Sequence, residues 1–320
     1  MRSGLKLLVE YLKAKLTGKP FCAVHAPDGD GIACAALIFR KYPNAVVILM
    51  SPKEMRKRVA NLVKWDVVAD LPRPKRCKIW IDHHASNAEM AKLNGKCKVY
   101  FDDKAPCAAV LMLKALSLEG DRVATWIAEM AAHTDNPELY TTPPPTIEEK
   151  HGYDPAWDLN DAVKGLSYSE RIKLAKALAR EGVNAFRHRW VREAIRRHRA
   201  RRDRAEAIAN RIKPADVTLI VFNQRNRYSS ISPGAIAFKL YPKGAKIIAV
   251  AVPKKVGWYI MFRRAPGEPF SVRAIAERFG GGGHDGAAAA KVGDLDEAVT
   301  EIKKWCETNN LAFRVESVNV

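Results

Sequence analysis

Short apolar runs alternate with stretches of helical periodicity through the first half of the chain. The Val- and Ile-rich runs predict strands, and the apolar residues between them recur as on one face of a helix. Strands that alternate with helices favour a parallel sheet with helices on both faces. We expect strands at 21–25, 45–50, 66–69, 78–81 and 98–101, and helices at 31–42, 52–63, 105–118 and 121–133.

A long helical stretch and a second alternating block follow. Prolines punctuate residues 139–158 and predict a surface excursion there. Helical sequence then continues to Pro214. The second block predicts strands at 217–222, 246–252 and 258–263, and helices at 233–240, 270–279 and 294–306.

The pattern therefore predicts an α/β protein with two domains. Residues 1–182 would form a parallel-sheet domain, and residues 214–320 a smaller α/β domain. Residues 183–213 would form a basic helical connector between them.

Composition agrees with a folded protein that has no membrane partner. The chain has 320 residues, of which 48% are hydrophobic, so a substantial core is expected. No apolar run, that at 45–50 included, is long enough to span a bilayer, and the N-terminus resembles an amphipathic helix rather than a signal peptide. The six cysteines are scattered without a C-x-x-C motif, which is typical of buried thiols in a reducing cytoplasm.

Positive charge is concentrated in one helical region. The formal net charge is +19, and residues 171–213 hold 15 Lys and Arg against four acidic residues, a net +11. One interpretation is a solvated helix face in a basic protein. The other is that this face contacts the backbone of a single-stranded nucleic acid or short oligonucleotide.

Acidic residues and histidines follow successive predicted strands. In open α/β sheets, ligands bind outside the carboxyl ends of the strands. A further aspartate, Asp135, ends a predicted helix. The residues at strand ends are Asp28 and Asp30 after the first strand, Asp70 after the third, and Asp82, His83 and His84 after the fourth.

Each of these residues, taken alone, can have a purely structural role. Asp28-Gly29-Asp30-Gly31 can be a turn, and Asp70 can cap a helix or a turn. When the carboxylates lie close together they resist joint ionisation, because like charges repel. Divalent cations remove this energetic cost. Asp and His without thiolate suit Mn²⁺ or Mg²⁺, while imidazole also admits Zn²⁺ or Co²⁺. Two such ions roughly 3.5–4 Å apart would clamp a phosphoryl group.

These motifs resemble those of the DHH phosphoesterase family, which includes RecJ-type exonucleases, NrnA-type oligoribonucleases and cyclic-dinucleotide phosphodiesterases. Asp82-His83-His84 is similar to the motif that names the family. Phe279-Gly280-Gly281-Gly282-Gly283-His284 is similar to the GGGH signature of its C-terminal substrate-binding domain. The resemblance covers almost the whole chain, in the expected order.

The resemblance implies two divalent metal ions, with Mn²⁺ foremost and Mg²⁺ or Co²⁺ as alternatives. His84 would face the phosphate and Asp82 would support the site, as catalytic residues. Asp70 would bridge the two ions. The implied metal ligands are Asp28, Asp30, Asp70, His83 and Asp135, with His25, three residues before Asp28, as a further candidate.

In the second domain, the resemblance implies contacts to a substrate phosphate. Arg263 would grip this phosphate, and Arg264 is the alternative for that role. A glycine run exposes backbone N–H groups to an anion. The remaining substrate contacts would come from Gly281, Gly282, Gly283 and His284.

Three functions are compatible with these features. The first is a metal-dependent phosphodiesterase or exonuclease that hydrolyses single-stranded or short oligonucleotides to mononucleotides by a two-metal mechanism. The second is a phosphoesterase of small nucleotides, such as cyclic dinucleotides or 3′-phosphoadenosine 5′-phosphate (pAp), with the same catalytic residues. The third is a non-catalytic scaffold in a replication or repair assembly, which the full set of acidic residues and histidines disfavours.

Overall fold

The fold comes from a computed structural model that describes residues 4–26, 28–135, 155–223 and 233–318. The chain divides into two compact units, Met1–His198 and Arg199–Val320. The α/β class that the sequence predicts is confirmed in both units.

The first unit contains a five-stranded sheet in which every pair of neighbouring strands is parallel. The strand order is β2-β1-β3-β4-β5, so all carboxyl ends lie at one edge. Burial of the central strands on both faces explains their uninterrupted apolar sequence. The strands are β1 (Phe21–His25), β2 (Val46–Met50), β3 (Trp65–Ala69), β4 (Cys77–Asp82) and β5 (Lys98–Phe101).

Helices cover both faces of this sheet, as predicted. Alternate residues of β1 enter different cores: Cys22 packs with the helices of one face, and Phe21 stacks on Trp65 at the other. The helices are α1 (Gly4–Leu16), α2 (Gly29–Lys41), α3 (Pro52–Met55), α4 (Ala88–Ala91), α5 (Ala108–Leu116), α6 (Arg122–Asp135), α7 (Pro155–Gly165), α8 (Tyr168–Glu181) and α9 (Arg189–Arg211).

The prediction of one helix over 52–63 is wrong. A capping box between Ser51 and Glu54 starts α3, but α3 ends after one turn and a separate 3-10 turn follows at Arg58–Asn61. The indole N–H of Trp65 donates to the carbonyl of Ala60 at 2.8 Å. This bond satisfies a carbonyl of the 3-10 turn that has no partner within a helix ending near this point.

The second unit is built on a six-stranded mixed sheet in the order β11-β6-β7-β8-β10-β9. The pairs among β11, β6 and β7 are parallel, and those among β7, β8, β10 and β9 are antiparallel. The strands are β6 (Val217–Phe222), β7 (Ile247–Pro253), β8 (Trp258–Arg264), β9 (Gly282–His284), β10 (Ala287–Val292) and β11 (Phe313–Val318).

Sequence reasoning missed the last three of these strands. The Gly of β9 and the Ala of β10 have low strand propensity, so pairing of β10 with β8 and of β9 with β10, rather than local preference, makes them strands. Beta11 lies at the sheet edge, where much of it is exposed, so it lacks the apolar run of a buried strand.

Helices also cover both faces of the second sheet. Neighbouring residues of β6 again enter different cores, Leu219 on one face and Ile220 on the other. The helices are α10 (Pro233–Leu240), α11 (Val272–Glu277) and α12 (Leu295–Thr308).

The division between the units falls inside α9. Val191 and Ala194, in its first half, belong to the core of the first unit, whereas Ala205 and Ala209 belong to a core of the second. The segment 183–213, expected to be a connector, therefore contributes apolar residues to both cores.

All six cysteines are free thiols. Four of them are buried, while Cys77 and Cys97 are half-buried. Across the described part of the chain, no helix combines the length and the apolar character that a bilayer crossing requires.

We predict that Trp80→Ala destabilises the first unit by about 3–5 kcal/mol. Trp80 is fully buried, stacks on Phe101 at 5.9 Å between ring centroids, and donates its indole N–H to Leu71 O at 2.8 Å. Urea unfolding followed by circular dichroism measures the loss. Leu62→Ala, at a side chain 55% exposed, is the control and should change stability by less than about 0.5 kcal/mol. Equal effects of the two substitutions would contradict the packing described here.

Candidate active site

The carboxyl ends of β1, β3 and β4 bring acidic residues and histidines together. His25 is the last residue of β1, Asp70 follows β3, and Asp82 ends β4. These strands are neighbours in the sheet, so residues far apart in sequence meet at one edge. The clustering that the sequence predicts is present in the structure.

Asp70 occupies the middle of the cluster in an unusual backbone conformation. Its φ of 56° lies in the left-handed region, which Asp tolerates better than most residues. Its N–H donates to Ile81 O at 3.0 Å, which holds the turn. The buried carboxylate then lies 3.3 Å from Nδ1 of His25 and 3.4 Å from Nδ1 of His84. Such strain is typical of functional sites.

Asp30 enters the cluster from the first turn of α2. Its carboxylate is buried and accepts hydrogen bonds from the N–H groups of Ala108 and Ala109, at 2.8 and 2.9 Å, at the start of α5. Gly31 permits the tight entry into α2, because a Cβ there would lie 2.2 Å from the carbonyl oxygen of His25. The helix terminus and these amides stabilise the negative charge.

Asp82 has the contacts of a supporting residue. Its Oδ1 accepts the N–H groups of His83 and His84, at 2.9 and 3.2 Å, and lies 2.9 Å from Nδ1 of His84. Its Oδ2 accepts a hydrogen bond from Asn87 at 2.6 Å. Sequence reasoning missed Asn87. Its signal is a buried polar residue three positions after His84, but that burial is visible only in the fold.

His83 presents one ring nitrogen to three carboxylates. Its Nδ1 lies 3.3 Å from Ala105 O, which orients the ring. Its Nε2 lies 3.2 Å from Asp135, 3.8 Å from Asp30 and 4.0 Å from Asp70, and among the described residues this buried atom has no hydrogen-bond partner. A buried ring nitrogen that faces carboxylates and lacks a hydrogen bond fits a metal ligand.

The donor atoms form three overlapping groups within reach of a cation. Asp70 and His83 each belong to two groups, so neighbouring ions could share ligands. Carboxylates and imidazoles without thiolate suit divalent first-row metals. The groups are His25 with Asp28 and Asp70, Asp30 with His83 and Asp135, and Asp70 with His83 and His84.

Burial and mutual repulsion raise the pKa of two carboxylates in the cluster. Burial, together with the charges of Asp135 and Asp28, raises the pKa of Asp30 to about 7. Burial and the charge of Asp30 raise the pKa of Asp70 well above its usual value. Without a cation, the cluster therefore retains protons on its buried acids near neutral pH.

The pKa values of His25 and His84 are raised, whereas burial alone would lower the pKa of an imidazole. Burial alone would lower the pKa of His25, but its hydrogen bonds to Asp28, at 2.6 Å, and to Asp70 raise it to about 10. The hydrogen bond to Asp82 raises the pKa of His84 to about 9. Burial would raise the pKa of Asp28, but His25 lowers it below its usual value.

In the second unit, the expected substrate residues lie on one part of its sheet. The strand register places the backbones of Arg263, Ala287 and His284 in one row across β8, β10 and β9. Gly282 and Gly283 belong to β9 and Gly281 immediately precedes it. The side chain of His284 lies outside the part that the structure describes.

The two arginines considered for phosphate binding have different surroundings. The guanidinium of Arg263 donates to Phe262 O at 2.9 Å and interacts electrostatically with Tyr241. That of Arg264 donates to Phe270 O at 3.1 Å. As neighbours on a strand, the two side chains leave opposite faces of the sheet.

The sequence matches no family model and no curated protein, but several solved structures share its fold. A pGpG-specific phosphodiesterase, PggH from Vibrio cholerae, is 16% identical at a TM-score of 0.67, over 91% of this chain and 99% of that one. The DHH domain of a member of a family of ribosomal proteins is 15% identical at 0.57, over 97% and 93%.

A third similar structure is RecJ from Thermus thermophilus in complex with Mn²⁺. It is 16% identical at a TM-score of 0.57, over 99% of this chain and 56% of that longer one. At these identities the likeness concerns the fold. The chain therefore has the fold of the DHH phosphoesterases, as its motifs predict.

We predict that Mn²⁺ binding to the metal-free protein weakens as pH falls below about 7. Asp30, with a pKa of about 7, carries a proton below that pH, and the proton competes with the cation by up to about tenfold per pH unit. His25, with a pKa of about 10, is protonated across the range and loses its proton when a cation binds at Nδ1.

Isothermal titration at about pH 6 and about pH 8, in buffers of different ionisation enthalpy, measures both effects. Binding should be tighter at the higher pH, with net release of protons at both. Equal affinity at the two pH values, without proton release, would show that these groups are not the ligands.

Proposed function

We propose that the protein is a metal-dependent phosphodiesterase that hydrolyses short single-stranded oligonucleotides to mononucleotides. The observation that carries this proposal is the convergence of acidic residues and histidines at one sheet edge, with Nε2 of His83 directed at Asp30 and Asp135. Clustered carboxylates that retain protons on their own are suited to hold two divalent cations, Mn²⁺ foremost.

The residues divide into ligands and supporting groups. One ion would be held by His25, Asp28 and Asp70, the other by Asp30, His83 and Asp135, with Asp70 between them. When bound, the ions lower the pKa of water and neutralise charge on the phosphoryl oxygens. The overall reaction adds water across a P–O bond, giving a phosphate monoester and a hydroxyl group.

We assign His84 to the substrate rather than to a metal. Asp82 fixes its Nδ1, and the side chain is 46% exposed. With a pKa of about 9 it is protonated at neutral pH, so its ring can donate a hydrogen bond to a phosphoryl oxygen. Asp82 and Asn87 position the ring, and Asp82 needs no direct contact with the phosphate.

The proposed substrate class rests on features of both units. The glycine run that ends in β9 is similar to a nucleotide-binding signature, and its backbone N–H groups suit a phosphate. Alpha9 exposes Arg192, Arg196 and Arg204, which suit the backbone of a polyanion. A dinucleotide would need few of these charges.

Two other functions remain as competitors. The likeness to a pGpG-specific phosphodiesterase over nearly its full length supports a small nucleotide as the substrate. A non-catalytic scaffold would share the fold without needing the cluster, so intact ligand geometry disfavours it.

A substrate panel tests the proposal. With Mn²⁺, an end-labelled RNA or DNA 5-mer should be shortened to mononucleotides faster than pAp, pGpG or cyclic di-AMP is hydrolysed. Hydrolysis of pAp with an untouched 5-mer would favour the small-nucleotide function. No hydrolysis of any of these substrates, with Mn²⁺ bound, would favour the scaffold.

His83→Ala should lower kcat on the preferred substrate by at least about 100-fold and reduce the Mn²⁺ content of the purified protein. The reason is the loss of Nε2 between Asp30 and Asp135. His188→Ala is the matched control, because that imidazole lies 2.8 Å from Glu181, outside the cluster. Full activity of the His83 variant would refute the metal assignment.

A further inference from the structure

A cavity of about 660 Å³ opens in the first unit beside the acidic cluster. It lies where the carboxyl ends of β1 and β2 approach the first turn of α8. Its size is within the range of about 300–1,000 Å³ that is typical of small-ligand sites. The lining includes Ala26, Met50, Ser51, Lys57, Tyr168 and Ser169.

Backbone pairing places this cavity next to the metal ligands. His25 pairs with Met50 in the register of β1 and β2, and the N–H of Ala26 donates to Met50 O at 3.0 Å. Ala26 and Met50 both line the cavity, so its wall begins at the residue that follows His25. The hydroxyl of Tyr168 accepts the N–H of Leu49 at 3.0 Å and fixes α8 against β2.

Arg171 lies on α8 three residues after Tyr168, so the two side chains leave the same side of the helix. Its Nε donates to Val163 O at 2.8 Å, which leaves the two terminal nitrogens for another partner. Burial lowers the pKa of this half-buried guanidinium, and the charge of Asp28 opposes the change, so the two charges interact. Among the described residues no carboxylate lies within ion-pair distance of Arg171, which suits bidentate contact with a phosphate.

The cavity itself combines the surfaces that a nucleotide needs. Leu7, Val59 and the ring of Tyr168 offer apolar contact for a base, and Lys57 offers a positive charge. Glu54, which also lines the cavity, is occupied: the N–H and the hydroxyl of Ser51 both lie 2.9 Å from its carboxylate. A nucleoside with a neighbouring phosphate matches this combination.

We propose that this cavity and Arg171 form a nucleotide subsite, which holds the nucleotide on the leaving side of the scissile phosphate. The inference rests on the proposed phosphodiesterase function and narrows its substrate. A substrate that fills the subsite has at least two nucleosides joined by a phosphodiester, so an oligonucleotide fills it and pAp does not.

The test compares substitutions in the subsite with matched substitutions outside it. Arg171→Gln and Lys57→Gln remove the proposed phosphate contacts. Arg180→Gln, on the same helix, and Lys53→Gln, on α3, are the controls, because both side chains are exposed and neither lines the cavity. Circular dichroism and thermal midpoints equal to those of the unsubstituted protein confirm folding.

Kinetics with Mn²⁺ use a 5-mer, a dinucleotide that carries a 5′-phosphate, and bis(p-nitrophenyl) phosphate, a phosphodiester without a nucleoside. Arg171→Gln should raise KM for the 5-mer and the dinucleotide by about tenfold, with kcat changed less than about twofold. It should leave hydrolysis of bis(p-nitrophenyl) phosphate within about twofold, and Arg171→Lys should restore part of the affinity.

Three outcomes would overturn the subsite: an unchanged KM for the 5-mer, an equal loss on all three substrates, or the same effect from Arg180→Gln. If Arg171→Gln fails to fold, Lys57→Gln decides the same comparison.

Failure of the proposed function is a different result, namely no hydrolysis of any substrate by the unsubstituted protein. Fluorescence anisotropy of a labelled 5-mer in the presence of EDTA then tests the subsite by itself. A Kd about tenfold weaker for Arg171→Gln would support the subsite, and an unchanged Kd would refute it.

Discussion

Mutual repulsion among buried carboxylates is the constraint on which the candidate site depends. Asp30 and Asp70 are almost fully removed from water, and Asp28 and Asp135 lie close enough to raise the pKa of Asp30. Such groups destabilise a folded protein unless protons, histidines or cations neutralise them. The cluster therefore destabilises the fold when no cation is bound, and the proposed cation binding would offset that cost.

The fold reduces the cost of burying these carboxylates with hydrogen bonds from backbone N–H groups and from a buried side chain. Amides at the start of α5 bind Asp30, and Asp82 is satisfied by two backbone N–H groups and Asn87. The left-handed turn at Asp70 is held by pairing to Ile81, so strain in one residue is supported by the sheet. A parallel sheet makes this possible because its carboxyl ends share one edge.

The clustering of the candidate ligands could be predicted from the sequence because they lie at positions that strand periodicity defines. Asp82-His83-His84 ends a run whose apolar pattern already indicates a buried strand, and the edge follows from the parallel order. Asn87 and Arg171 could not be predicted this way. Their significance comes from burial and from interactions with Asp82 and Asp28, which only tertiary packing creates.

The same limit applies to the strands of the second unit. Beta9 and β10 consist largely of Gly and Ala, which locally suggest a flexible loop, yet β10 pairs with β8 and β9 pairs with β10, which orders both. At Gly283, φ is 149° and a Cβ would lie 2.5 Å from Ala287 O, so the glycine is a requirement of close strand approach. The glycine run suggests flexibility in the sequence, but strand pairing orders its last residues.

Under the proposed function, chemistry and substrate choice would reside in different elements of the chain. The cluster depends on strand ends and would act on any accessible phosphodiester, since its groups would contact only the metals and the phosphate. Selection by length needs surfaces beyond the phosphate, and in our proposal the first turns of α8 and the exposed arginines of α9 would supply them, from elements that do not carry the candidate ligands. Helix surfaces can change without disturbing the sheet edge. One fold can therefore keep its reaction while the helices around it determine which nucleotide polymer, or which small nucleotide, is cleaved.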